Sequence, residues 1–389
     1  MDRTAIDQAF AAALKAFPQA SDFNFTVNKA PQLEVNGELK PIDFGELKGP
    51  LSAQQTSAFA EVVMHGSPTL REQLEETGSC DCAYSLPDGT RFRVNVFIAR
   101  GSQSIVMRVL ASDVPSLESL KLPAILGDIP KLKNGMVLVA GATGSGKSTT
   151  LAAIIDQVNS TRPVHIVTLE DPVEFVHRHK LGVVNQRELG TDFKEFSDGL
   201  RAALRQAPKV ILVGEMRDAE TMEIGIKAAE TGHLVLSTLH TIDAGQTINR
   251  ITGMFPLEER QLLRSRLAQV LRFVIGQRLL PKEGGGRVAA LEIMGSSMRS
   301  RELVQNGEEG DKTFYQVIAD SKAVGWQTFD QHIVELFAQK LISVDVAKAY
   351  CSDLSAMTKE IDRVRSARGE DTSGLGQLEM AYVRKLKQI

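Results

Sequence analysis

The residues best suited to chemistry lie between Gly141 and Thr149. Gly141-Ala142-Thr143-Gly144-Ser145-Gly146-Lys147-Ser148 fits the pattern G-x-x-x-x-G-K-[ST]. Glycines at these spacings let successive backbone N–H groups converge on phosphate oxygens, and a helix opening at Thr149 adds the partial positive charge of its N-terminus. Met136 to Ala140, immediately before, is an apolar run of the buried-strand type. Strand, loop and helix therefore stand in the order a phosphate site needs. Thr143, Gly144, Ser145, Gly146, Lys147, Ser148 and Thr149 are the expected nucleotide contacts. Lys147 is expected to reach the β- and γ-phosphates, and Ser148 to hold Mg²⁺. The implied cofactors are ATP and Mg²⁺.

Such a loop needs an acid for the metal or the attacking water. Two candidates follow buried-type strands: Glu170-Asp171 after Ile166 to Leu169, and Glu215 after Val210 to Val213. Acids at the C-terminal ends of parallel strands face the crevice where ligands bind. The alternative for Asp171 and Asp218 is to cap the helices that follow. Gly214 occupies the position where many phosphate-loop enzymes carry a metal-binding Asp.

The surrounding elements read as an α/β protein. Ile6, Phe10, Ala13, Leu14 and Phe17 recur at helical spacing, and Asn36-Gly37 marks a two-residue hairpin. From Arg91 to Arg100 the chain alternates, with Phe92, Val94, Val96 and Ile98 on one face and Arg91, Arg93 and Asn95 on the other. A second strand from Ser104 to Leu110 follows the turn Arg100-Gly101-Ser102, which makes a hairpin with arginines on its polar face. From Gly135 onward, strands at 136–140, 165–169, 210–213 and 234–238 alternate with helices and imply a mostly parallel sheet. After Pro256 the chain reads as mainly helical, with one strand at 287–294 and amphipathic helices at 326–337 and 344–350. The expected boundaries are an N-terminal domain at 1–113, a Pro- and Gly-punctuated linker at 114–134, a nucleotide-binding core at 135–294, a helical region at 295–352 and a charged, mobile tail at 353–389.

Composition narrows the function classes. The 389 residues are 43% hydrophobic and 24% charged, an ordinary globular balance. Lys and Arg number 45 against 48 Asp and Glu, a net charge of −3, so the basic excess of a general nucleic-acid coat is missing. No apolar run is long enough to span a bilayer, and residues 1–17 lack the apolar core of a secretory signal. Cys80, Cys82 and Cys351 make no disulfide framework, and Cys80-Asp81-Cys82 reads as a strand edge. The chain reads as cytosolic.

Several motifs together resemble the secretion-ATPase superfamily, and within it the type IV pilus retraction ATPases of the PilT/PilU family. Thr168-Leu169-Glu170-Asp171-Pro172-Val173-Glu174 is similar to the family's Asp box, and Gly214-Glu215-Met216-Arg217-Asp218 to its atypical Walker B. Glu230-Thr231-Gly232-His233 through Ser237-Thr238-Leu239-His240-Thr241 resembles its His box. Asn185-Gln186-Arg187-Glu188-Leu189-Gly190 and Leu204-Arg205-Gln206 also match. The chain has no C-x-x-C pair, whereas assembly and export relatives usually carry a four-cysteine zinc insertion. Ala207-Pro208 and Gly325-Trp326-Gln327-Thr328-Phe329-Asp330-Gln331 are similar to PilU-type members. Lys209 stands where an Asp is usual, Asn24 stands where the family has His, and Met298 to Gln305 is a loose version of a PilT motif.

The resemblance implies an N-terminal PAS-like α+β domain and a RecA-like ATPase domain with a helical C-terminal part, closed into a homohexamer. It implies Glu170 as general base, Glu215 as orienter of water around the metal, and Arg93 and Arg108 as arginine fingers. His233 and His240 would sense the γ-phosphate or relay closure. The implied activity is ATP hydrolysis driving pilus retraction and twitching motility, with a PilU-like accessory role to a principal PilT motor as a variant. The implied partners are an inner-membrane pilus platform protein and a paralogous pilus ATPase, at the cytoplasmic face of that membrane and with no nucleic acid. Two alternatives remain: a nucleotide-gated accessory subunit with little hydrolysis, and a DNA translocase. The net charge and the lack of an aromatic stacking run disfavour the translocase.

Overall fold

The computed structural model describes residues 2–35, 37–110 and 114–372. These fall into two units. The first comprises the described residues up to Val114 with Leu169–Arg178 and Gln186–Gly199, and the second comprises the remainder.

In the first unit, α1 (Arg3–Ala16), β1 (Ala20–Phe25), β2 (Gln32–Val35), β3 (Glu38–Pro41), α2 (Ala53–Val63), α3 (Pro68–Thr77), β4 (Ser79–Ser85), β5 (Arg91–Ala99) and β6 (Ser102–Val109) follow in order. The strands form one antiparallel sheet ordered β3-β2-β1-β6-β5-β4. Helix α1 starts where the Asp2 side chain accepts from the Thr4 N–H, and it buries Ile6 and Phe10. Phe10 is the centre of an aromatic core, with ring centroids 5.0 Å from Phe23 and 4.6 Å from both Phe44 and Phe92. A capping box between Ser52 and Gln55 starts α2.

Alternation on β5 holds for Phe92, Val94 and Val96, all fully buried, and fails at Ile98, which is 45% exposed. Ile98 pairs with Gln103 beside the turn, where the strand has run past the core. That turn is two residues long, Arg100 and Gly101, both at positive φ (51° and 75°). Strand β6 therefore restarts at Ser102, not at Ser104. Strands β2 and β3 pair as the hairpin signal requires, although Asn36 itself lies outside the described residues.

Beyond Val114 the chain forms β7 (Gly135–Ala140), α4 (Lys147–Thr161), β8 (His165–Glu170), β9 (Val183–Glu188), α5 (Phe196–Ala203), β10 (Val210–Val213), α6 (Ala219–Glu230), β11 (Leu234–Leu239), α7 (Ala244–Gly253), α8 (Arg260–Val270), β12 (Leu271–Pro281) and β13 (Arg287–Gly295), of which the end of β8, the end of β9 and the start of α5 belong to the first unit. Then come α9 (Met298–Asn306), α10 (Phe314–Asp320), α11 (Phe329–Ala338), α12 (Val344–Tyr350) and α13 (Leu354–Ala367). Strand order is β13-β12-β7-β11-β10-β8-β9. Strands β12, β7, β11 and β10 are parallel, and β13 lies antiparallel at the edge. The α/β class expected from the sequence holds.

Three expectations are corrected. Residues 114–134 are not a free linker. Leu117, Leu126 and Ile129 are buried in the same core as Val137, Leu151 and Ile155, and Arg162 donates to the carbonyls of Pro130 (2.9 Å) and Leu132 (2.8 Å). The prolines there shape a 3₁₀ turn at Ala124–Lys131. Strand β12 replaces the helix expected after Pro256. Helix α8 runs into it with no turn residue at Val270-Leu271, and Arg272, Gln277 and Arg278 interrupt its apolar pattern. The charged tail is ordered at its start. Asp353 caps α13, and Met357 and Ile361 are each 1% exposed against Phe337 and Ala347. Residues 373–389 of that expected tail lie outside the described residues.

Candidate functional site

The second unit places segment 141–148 between a strand and a helix, the order expected, with the helix opening at Lys147 rather than Thr149. Strand β7, buried along its whole length, delivers the chain into Gly141, and α4 opens at Lys147 with Gly146 as a left-handed N-cap (φ 87°). A Cβ at Gly141 would lie 2.5 Å from the Gln277 carbonyl oxygen and from Ser145 Oγ. At Gly146 it would lie 2.8 Å from Gln277 Nε2. Gly141 is closed by a backbone oxygen, and at Gly146 the left-handed φ strains any side chain. Lys147 is 8% exposed, and its Nζ donates to the carbonyls of Gly141 (2.8 Å) and Ala142 (3.0 Å). Thr143, Gly144 and Ser148 are exposed, whereas Ser145 Oγ is buried and has no hydrogen-bond partner.

Gln277 on β12 was not singled out by sequence reasoning. It is 2% exposed, accepts from Thr150 Oγ1 (2.8 Å) and donates to the Ser145 carbonyl (2.8 Å). A glutamine inside the apolar run Phe273-Val274-Ile275-Gly276-Gln277 was the available signal, because a buried amide needs partners. Beside the first turn of α4 lies a cavity of about 400 Å³ with walls at Leu122, Thr149 and Leu279 and basic groups at Lys121, Lys282 and Arg287.

Glu215, just past β10, and His240, just past β11, lie side by side, a pairing that the motif reading did not state. Glu215 accepts from Arg217 Nε at 2.6 Å and lies 3.6 Å from His240 Nε2. Arg217 is the added element. Thr238 Oγ1 donates to the Gly214 carbonyl at 2.6 Å and ties the two strand ends together. Asp218 takes its structural role, capping α6 by accepting from the Thr221 N–H and Oγ1.

His233 is a correction. It precedes β11, and its Nδ1 is 2.9 Å from the Ala228 carbonyl oxygen. His240 follows the same strand, so the two histidines stand at opposite ends of β11, roughly 20 Å apart at strand rise. Within one subunit His233 cannot share the site of His240. It is a turn-closing residue at the edge opposite the phosphate loop.

The first unit carries Glu170, Arg93 and Arg108. Glu170 Oε1 accepts from Gln186 Nε2 at 2.9 Å, and the Glu170 carbonyl accepts from the Leu189 N–H. Arg93 and Arg108 are direct cross-strand partners on β5 and β6. Arg108 Nε donates to Asp22 Oδ1 at 2.8 Å, and its side chain is 66% exposed. Arg93 is exposed and has no ion-pair partner among the described residues. Arg91, on the same strand, is tied to Glu188 at 2.7 Å and is a structural residue. Burial pushes the Cys80 thiol up to about 11 and the Cys82 thiol up to about 12, so both stay protonated and unreactive, as a strand-edge reading implies. No cluster of three or more metal-ligating side chains occurs among the described residues. Among those residues no helix is long and apolar enough to cross a membrane.

The family model for type II/IV secretion system proteins matches residues 63–328. The type IV pilus retraction ATPase PilT of Pseudomonas aeruginosa is 41% identical over 336 residues, covering 86% of this chain and 95% of its own. The type IV pilus ATPase PilU of the same organism is 37% identical over 343 residues, covering 87% and 88%. A crystal structure of the pilus retraction motor PilT with bound ADP matches with a TM-score of 0.80 at 40% identity, over 90% of this chain and 98% of that one. The chain belongs to the type II/IV secretion system protein family.

Proposed function

We propose that the chain is an ATP-hydrolysing motor that drives type IV pilus retraction and twitching motility. The observation that carries this is the built phosphate loop, with Lys147 buried at its base and the Glu215–His240 pair at the ends of neighbouring parallel strands. The names of the relatives supply the direction of work.

The backbone N–H groups from Gly144 to Thr149 bind the phosphates, and the unpartnered Ser145 hydroxyl gains one there. The cavity beside Thr149 takes the base and ribose, with Lys121, Lys282 and Arg287 at its polar rim. Lys147 leaves the loop carbonyls for the β- and γ-phosphate oxygens. The exposed Ser148 hydroxyl suits Mg²⁺, which when bound neutralises charge on the transferring phosphoryl group. Glu170, held by Gln186, acts as general base for the attacking water, and Glu215 orients water near the metal. Arg93 and Arg108 act as arginine fingers on the transferring phosphoryl group. The working assembly is a homohexamer at the cytoplasmic face of the inner membrane, docked on a pilus platform protein and able to work beside a paralogous pilus ATPase.

Steady-state ATPase assays with light scattering test this. Turnover in a six-subunit species, lost in Lys147→Ala and Glu170→Gln, is the expected result. Tight ATP binding with negligible turnover would overturn the autonomous motor in favour of an accessory subunit, for which the altered Ala207 and Lys209 would then be the first residues to test.

A further inference from the structure

Glu292 lies on β13 and is 5% exposed. Its Oε1 accepts from the Ala244 N–H at 2.8 Å. Ala244 is the first residue of α7, so this is one of the donors a helix leaves unsatisfied at its start. The same turn of α7 anchors the loop before it. Thr247 Oγ1 donates to the Asp243 carbonyl at 2.7 Å and lies 2.7 Å from Thr241 Oγ1. Thr241 directly follows His240, whose ring faces Glu215. On its other side Glu292 pairs with Gly276 across the β12–β13 ladder, one residue from the Gln277 that holds the phosphate loop. Gly276 has no side chain there because the Phe329 ring occupies the space. A single buried carboxylate thus stands between the phosphate-loop clamp and the loop that presents His240.

We propose that Glu292 is a positioning residue for hydrolysis: as a carboxylate it holds the α7 N-terminus and thereby sets the His240 loop against Glu215. The proposal rests on the roles given above to Glu215 and His240. Burial is the main cause of the pH sensitivity of Glu292, the Ala244 N–H opposes it, and the facing charged groups add smaller effects. Asp243 at the α7 start and Asp330 on α11 disfavour its charge, Arg278 on β12 favours it, and Tyr315 on α10 is a further titratable neighbour. His332 on α11 accepts from the adjacent Leu291 N–H and is held neutral, its pKa lowered by burial to about 4. Burial dominates at Glu292 and pushes its carboxyl up to about 7. Below that pH Glu292 gains a proton and becomes a weaker acceptor for Ala244.

The test is kcat and KM for ATP of the full chain from pH 6 to 8.5. Wild-type kcat should rise about three- to fivefold across pH 7, the difference between a neutral and a charge-assisted bond, with KM little changed. Glu292→Gln should lose this limb and stay flat near the acid value, and Glu292→Asp should restore part of it. In a His240→Ala background, Glu292→Gln should have no further effect on kcat. An unaltered limb in Glu292→Gln would assign the titration to another group and overturn the proposal. Full multiplicativity with His240→Ala would also overturn it. Glu215→Gln separates the two levels. Wild-type turnover in that variant would overturn the site reading. An inactive Glu215→Gln beside an unchanged Glu292→Gln profile would overturn the role of Glu292 alone. Removing a buried charge should leave Glu292→Gln at least as heat-stable as wild type at pH 8, so a fall in kcat would not be unfolding.

Discussion

The phosphate loop and the arginine face of the first sheet put cations to work in opposite ways. Lys147 is 8% exposed and gripped by two backbone carbonyls, in a loop where a backbone oxygen closes Gly141 and a left-handed φ strains any side chain at Gly146. Arg93 and Arg108 stand side by side on an exposed sheet face, and among the described residues only Asp22 pairs with one of them. Like charges directly opposite on neighbouring strands oppose folding, so the pair suits an incoming anion better than the stability of its own unit. One site is finished before a ligand arrives. The other is an exposed pair of like charges on neighbouring strands, and the arginine-finger role proposed for it needs an anion brought to it.

The comparison can be broken or sharpened by substitution. The largest effect is expected from Lys147→Ala, which should lower kcat by about 10³-fold or more, because its ammonium acts on charge developed during phosphoryl transfer. ATPase assays at saturating ATP measure this. Arg93→Ala and Arg108→Ala should each cost about 10²- to 10³-fold in kcat, the loss of one preorganised donor, with ATP affinity and thermal midpoint almost unchanged. A lowered midpoint with normal kcat would make them structural charges and end the contrast. Gln277→Ala should act the other way, on the built site. It strands Thr150 Oγ1 and the Ser145 carbonyl, so unfolding free energy should fall by about 2 kcal/mol in denaturant melts, with weaker ATP binding and a smaller change in kcat. The smallest effect is expected from Asp22→Asn, which loosens Arg108 without removing it. Its kcat should shift by about two- to threefold, and an effect as large as that of Arg108→Ala would mean Asp22 itself takes part.

The hairpin that carries the arginines shows how far pattern reasoning reaches. Alternation assigned Arg93 to the polar face correctly, and the Arg100-Gly101 turn was visible in the sequence. Pairing, however, depends on turn length. A three-residue turn ending at Ser102 would have set Arg93 opposite Val109, whereas the observed two-residue turn sets it opposite Arg108. A slip of one residue changes every partner in a ladder. The two histidines show another limit. His233 and His240 belong to one motif in the sequence, but a six-residue strand separates them, and extended backbone keeps its ends apart. Segment 114–134 read as a linker because its prolines and glycine were more visible than Leu117, Leu126 and Ile129, whose burial depends on partners distant in the chain.

By itself, the sequence determined whatever is encoded within one turn of backbone: the phosphate loop, the strands on either side of it, the acid at Glu215 and the alternation that exposes Arg93. These follow from local sterics, local hydrogen bonding and periodicity, which neighbours in the chain supply. Only the tertiary structure decided which distant groups complete the site. Gln277 reaches Ser145 and Thr150 across more than a hundred residues of chain, and Glu292 reaches Ala244 across 48. Such pairs form because a buried polar group must find a partner wherever the packing places one, and the fold, rather than the spacing along the chain, decides where that is.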